Sequence, residues 1–190
     1  MVALLLISGT AVNLPARSFT PLHAACTKGH TKVVAMLLIC GAAVNQAANR
    51  GTMPLHLACY EGHTKVVALL ITNCAAVNQP TTDGFTPLHA ACTNEGHSEV
   101  VSLLLTNGAA ENQTSMNGGT ALTEACLEGN FSCVQLLSSY GANRTFTLQL
   151  HPDMLEQTAE ETAEHFGHDE LVAWLTTSRL WSTPLHHLTI

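Results

Sequence analysis

Eleven histidines and seven cysteines are the side chains of this 190-residue chain that could bind a metal, move a proton or act as a nucleophile. Their spacing argues against all three. His23, His56 and His89 recur every 33 residues, and His30, His63, His97 and His168 each follow a glycine at one shared slot. Cys26, Cys59, Cys92 and Cys126 repeat at steps of 33, 33 and 34. Side chains phased on such a period are spread along a stack of units, whereas a zinc site needs its ligands to converge on one point. His186 and His187 are adjacent, so on a helix their side chains diverge. No nucleophile elbow, phosphate-cradling glycine loop or HExxH sequence occurs. Glu160, Glu161 and Glu164 fall in the first turns of a helix, where acids favour the dipole. The chain is expected to be no enzyme and to need neither cofactor nor metal.

The elements that carry these residues are short helices in pairs. Thr20-Pro-Leu-His23 returns as Met53-Pro-Leu-His56 and Thr86-Pro-Leu-His89, and a 33-residue period of this kind marks stacked helical hairpins. Thr20 and Thr86 stand where a helix N-cap belongs, with Pro at the first helical position. Gly29, Gly62, Gly96 and Gly129 are expected to end the first helix at positive φ, and Thr31, Thr64 and Ser98 to cap the second. Val33, Val34, Leu37 and Leu38 and their counterparts form the second helix's apolar face. Gly41, Gly108 and Gly141 end that helix, and Cys74 occupies the same slot.

Each unit thus carries Thr-Pro-Leu-His, Ala-Cys, Gly-His, an apolar run and a Gly-Ala-x-x-Asn tail, and in this it resembles ankyrin repeats over nearly the whole chain. The resemblance implies an all-α ankyrin-repeat solenoid with projecting β-turn or hairpin finger loops. The units divide as a partial repeat 1–18, repeats 19–51, 52–84, 85–118 and 119–157, and a degenerate repeat 158–178. Residues 179–190 would open a further, truncated repeat. The repeat after Thr120 is degenerate, and the loop around Leu148 to Met154 is about five residues longer than the repeat requires. The resemblance also implies that His23, His56 and His89 hydrogen-bond neighbouring loops and that the histidines after glycine help start the second helix.

Met1 to Asn13 overlays Val33 to Asn45, so the opening apolar run is expected to be a second helix whose first helix is absent. It has no preceding basic residue and is too short to span a membrane. With Thr183-Pro-Leu-His186 at the other end, the chain reads as a fragment of a longer array. Stacked units lie about 10 Å apart, past the reach of a disulfide, and no CxxC occurs. The thiols therefore read as buried apolar groups of a reducing compartment, cytoplasmic or nuclear. Net charge is −7 with the basic residues scattered, which disfavours nucleic acid and anionic membranes as partners. The chain is expected to be monomeric unless its apolar ends associate.

The remaining function class is recognition of a partner protein. In ankyrin-like stacks the fingers and first helices line a concave groove. Positions free to vary between units are Arg17, Phe19, Asn49, Arg50, Thr52, Thr82, Asp83, Phe85, Met116 and Asn117 at the fingers. Near the end of the first helix they are Lys28, Tyr60, Glu61, Asn94, Glu95, Leu127 and Glu128. Large aromatics and Arg are the usual interface anchors, although Phe19 and Phe85 could equally pack against a neighbouring finger. Asn45, Asn78 and Asn112, each with a Leu eight residues earlier, match the family's asparaginyl-hydroxylation pattern or serve as plain turn residues. A second reading makes the array the substrate-recognition part of a ubiquitin-ligase adaptor, because Pro184-Leu-His-His-Leu-Thr189 loosely resembles the start of an elongin-binding box. That box wants a Cys where Thr189 stands.

Overall fold

The computed structural model describes residues 12–16, 18–93, 97–149 and 155–178. Ten α-helices fall among the described residues, in five antiparallel pairs. The first helices are α1 Pro21–Thr27, α3 Pro54–Tyr60, α5 Pro87–Cys92, α7 Ala121–Leu127 and α9 Ala159–His165. Their partners are α2 Thr31–Ile39, α4 Thr64–Thr72, α6 Ser98–Thr106, α8 Phe131–Ser139 and α10 Asp169–Ser178. First helices stack on first helices, and α2, α4, α6 and α8 form a second layer behind them. The predicted second helix within 1–13 and the truncated repeat at 179–190 lie outside the described residues.

Local chemistry explains the helix starts. Thr20, Thr86, Thr120 and Thr158 each accept a hydrogen bond from the backbone N–H three residues on, and Pro follows the first two. Met53 takes the cap slot of α3 without a side-chain capping bond. Gly29, Gly62 and Gly129 end first helices at positive φ, as predicted; Gly96 lies outside the described residues. At Gly29 (φ 66°) a side chain is excluded twice over. Its Cβ would stand 2.7 Å from the His63 ring.

The second helices begin differently from the expectation. His30, His63 and His97, not Thr31, Thr64 and Ser98, occupy their N-cap positions, and none makes a side-chain capping bond. A single residue separates the glycine from the helix, so the hydroxyl residue is already the first helical one. The Thr31 hydroxyl turns back to the Gly29 carbonyl at 3.4 Å instead.

The core is one continuous row. Small residues line the first-helix layer, with Ala25, Cys26, Ala58, Cys59, Ala91, Cys92, Ala125 and Cys126 all buried. Leu22, Leu55, Leu88 and Leu122 from the first helices alternate with Leu37, Leu70, Leu104 and Leu137 from the second, each almost fully enclosed. Truncating any of these to Ala should cost about 2–5 kcal/mol. The last pair is closed by Trp174, edge-on to Phe131 at 5.8 Å and under the Arg144 guanidinium at 5.2 Å.

The fingers are tight turns. The Ala16–Phe19 bridge closes the first, and Ala48 N–H to Thr52 O (2.7 Å), Thr81 to Phe85 (2.9 Å) and Ser115 to Gly119 (2.7 Å) close the second, third and fourth. The predicted long loop is a hairpin, with β1 Thr147–Leu148 antiparallel to β2 Gln157–Thr158 and Leu148 buried.

The second helices end in a shared motif. Ala42 N–H reaches Leu37 O at 2.9 Å with Gly41 at φ 83°, and Ala75 N–H reaches Leu70 O at 3.0 Å with Cys74 at φ 64°. The space where a Cβ at Gly41 would sit is open, so only the backbone conformation is strained at Cys74. Cys74→Gly should therefore stabilise the chain by roughly 1 kcal/mol, read as a higher melting temperature by circular dichroism.

Candidate functional site

The candidate contact surface stands on a framework of buried imidazoles. The Thr20 N–H meets His23 Nδ1 at 3.2 Å, and Met53 and Thr86 do the same for His56 and His89. A backbone N–H only donates, so Nδ1 is the unprotonated acceptor and the proton sits on Nε2. Nε2–H then donates to the next finger: His23 to Thr52 O (3.2 Å), His56 to Phe85 O (3.1 Å) and His89 to Gly119 O (3.2 Å). The loop-bonding role expected of these histidines is what the geometry shows. The series stops at the fourth unit, where Thr123 holds the slot and its hydroxyl turns back to Thr120 O at 2.8 Å.

The second histidine set stands at the starts of the second helices, as expected, but the side chains of His63, His97 and His168 bridge units instead of capping. His63 Nε2 bonds Thr27 O (3.1 Å), His97 bonds Tyr60 O (3.1 Å) and His168 bonds Leu127 O (3.0 Å). Each ring leaves its own helix uncapped to satisfy an orphan carbonyl at the end of the preceding first helix. Asn130 stands in the same slot and donates to Cys92 O at 2.7 Å.

A third ladder joins the fingertips. Thr82 N–H donates to Arg50 O (2.8 Å), Met116 to Asp83 O (2.9 Å) and Gln149 to Asn117 O (3.0 Å). The approach is close enough that a Cβ on Gly118 (φ 82°) would lie 2.6 Å from Thr147 O. With the tip backbones paired, the side chains of Arg50, Asp83 and Met116 stay exposed and form no hydrogen bond or ion pair among the described residues.

The candidate contact residues divide along these lines. Tyr60 is 46% and Met116 79% exposed, and Lys28, Asn49, Glu61, Thr82, Asn117 and Glu128 are exposed as well. Phe19 (40% exposed) and the half-buried Phe85 lie over the rings of His23 and His89 at 5.2 and 5.0 Å, so both help sheathe the framework. Thr52 and Leu127 are half-buried and lend their carbonyls to the histidine ladders. Arg17, Asn94 and Glu95 lie outside the described residues, as does the stretch 184–189.

Asn45 and Asn78 are neither simple turn residues nor loose side chains. Asn45 donates to Cys74 O (3.0 Å) and accepts from Ala76 N–H (2.8 Å); Asn78 does the same with Gly108 O and Ala110 N–H, both at 2.8 Å. Asn112 keeps half of the pattern, accepting from Asn143 N–H at 2.7 Å.

One residue at this surface escaped the sequence reading. Glu124 on α7 is only 9% exposed, and its carboxylate has no hydrogen bond or ion pair with a described residue. Burial, with Glu128 adding to it, raises its pKa to about 7. The signal was available, since the equivalent residues of the earlier units are Ala24, Leu57 and Ala90. Elsewhere burial pushes the Cys26 and Cys126 thiols up to about 12 and Cys59 higher still, which makes them inert packing groups. Among the described residues no helix is long and apolar enough to cross a membrane, and no group of three or more His, Cys, Asp or Glu is placed to hold a metal.

A family model described as ankyrin repeats, in three copies, matches residues 36–115 and 96–184, and one described as a single ankyrin repeat matches residues 17–49. No curated protein matches the chain.

The neutral imidazoles make the fold acid-sensitive. Burial lowers His56 and His89 to about 4 from an ordinary 6.5, so between these values the unfolded chain binds protons that the folded one refuses. Each histidine then withdraws on the order of 3 kcal/mol as pH falls through that window. Glu124, raised from 4.5 to about 7, acts oppositely and gives part of this back on acidification. The urea midpoint should drop between pH 7 and about 4.5, and Glu124→Ala should steepen the drop.

Proposed function

The chain belongs to the ankyrin repeat family, whose members generally mediate protein–protein interaction and are typically non-enzymatic, and from that premise we propose that it holds a segment of a partner protein across its finger tips and first helices. The observation that carries this reading is the division of labour at the fingers. Their backbones are bonded to one another, while the side chains of Arg50, Asp83 and Met116 are exposed with no hydrogen bond or ion pair to a described residue. Tyr60 extends the surface onto the first helices, where a half-exposed aromatic offers contact area at low entropic cost. No framework bond uses these side chains, so their identities are free to serve recognition.

The same division selects the test. Phe19 and Phe85 lie over framework imidazoles, and removing them would confuse binding with stability. Arg50, Tyr60 and Met116 changed together to Ala should leave helicity and melting temperature nearly unchanged. Affinity capture from lysate with this triple variant beside the native chain should lose the partners that the native chain retains. Equal capture by both would place the binding face elsewhere.

A further inference from the structure

We propose that Glu124 is the anchor of this surface: its carboxylate receives the ammonium or guanidinium of a lysine or arginine carried by the partner segment, between the fourth finger and the hairpin finger. The inference rests on the groove reading above and names the chemistry of what the groove takes. Glu124 Oε1 lies 3.1 Å from the point where a Cβ on Gly119 would stand, a point also 3.1 Å from Ser115 Oγ and 2.8 Å from Leu148 Cδ1. The carboxylate is thus set beside the root of the fourth finger and the first strand of the hairpin. Ala24 is exposed and Leu57 half-buried at the equivalent positions of the first two units, whereas Ala90 and Thr162 on either side of Glu124 are buried, so the carboxylate is reached only along a narrow edge.

Nothing inside the described chain balances the charge. The single proton of Ser115 Oγ, the nearby hydroxyl, is already shared between Asn117 Oδ1 and Gly119 O. The side chain is nine-tenths covered, yet its oxygens keep an edge open to solvent, so a cation brought by a partner can reach the carboxylate where no donor of the described chain stands. The residues around it add negative charge. Glu128 lies one turn on, Asp83 sits at the neighbouring fingertip, and Glu156 is on the hairpin; Lys28 and Arg50 belong to earlier units. A metal ion would need further ligands, and none are grouped here among the described residues. A side-chain cation on an otherwise basic segment fits a single half-enclosed carboxylate in an acidic surround.

The junction departs from the framework in several ways at once. Thr123 replaces the bridging histidine, Glu124 replaces a small or apolar residue, and the finger that follows is lengthened to a hairpin. Together these changes remove the imidazole bridge and leave the carboxylate exposed along one edge.

The test is to pan a library of random dodecapeptides on the full chain at neutral pH. Enriched peptides should share a Lys or Arg at one fixed position. Replacing that residue by norleucine, or Glu124→Gln in the protein, should weaken binding roughly tenfold or more, and the two changes together no more than either alone. Glu124→Ala, which restores the residue found at Ala24 and Ala90, should lose the same binding while raising the melting temperature, so a loss of fold cannot imitate the result. Peptides without a fixed cation, equal binding by Glu124→Gln, or a screen that enriches nothing would overturn the proposal. Peptides that ignore Glu124→Gln but need Tyr60 would leave the groove reading standing alone. Peptides indifferent to both residues would sink both.

Discussion

A neutral imidazole between two units holds this stack in register. In His23, His56 and His89 one ring nitrogen is consumed by the backbone N–H that opens its own helix, which forces the proton onto the other nitrogen and aims it at the next finger. Cap, tautomer and inter-unit bond are therefore one arrangement, and none survives protonation of the ring. A helix of seven residues is too short to persist in water by itself, so each first helix depends on the neighbours that enclose it, and in the first three described units this ring also ties its start to the unit that follows.

The other ladders solve the same problem for the rest of the loop backbone. Histidines after glycine satisfy the carbonyls at the ends of first helices, asparagines join the ends of second helices, and fingertip amides pair with fingertip carbonyls. The framework uses few side chains at the tips, and the tips are where the chain is free to vary. The fourth junction is the exception. There the ring is missing, Leu148 of the hairpin is buried, and the Glu124 carboxylate is largely covered with no donor among the described residues.

Much of this was legible from residue types at fixed spacing. Thr20 and Thr86 with proline after them specify a helix start by local chemistry alone, and glycine or an unsuited Cys74 specifies its end. The loop bonds of His23, His56 and His89 came out as expected, and what failed were roles assigned within one unit to side chains that reach into another. Thr31 looked like a cap because hydroxyl residues cap helices, but the one-residue link from Gly29 had already placed His30 there. His63 and His97 looked like local helix starters, yet their rings extend to carbonyls 36 and 37 residues away. Asn45 looked like a turn former and proved to be a strut to the next unit.

The sequence by itself determined the period, the helix pairs, the buried leucine row and the inertness of the phased cysteines, because each follows from caps, turns and apolar spacing that act within one unit. Tertiary structure alone decided which nitrogen of each histidine carries the proton, which aromatics serve the framework and which face outward, and that Glu124 is enclosed without a partner. Those outcomes depend on the distance between one unit and the next, and only stacking sets that distance.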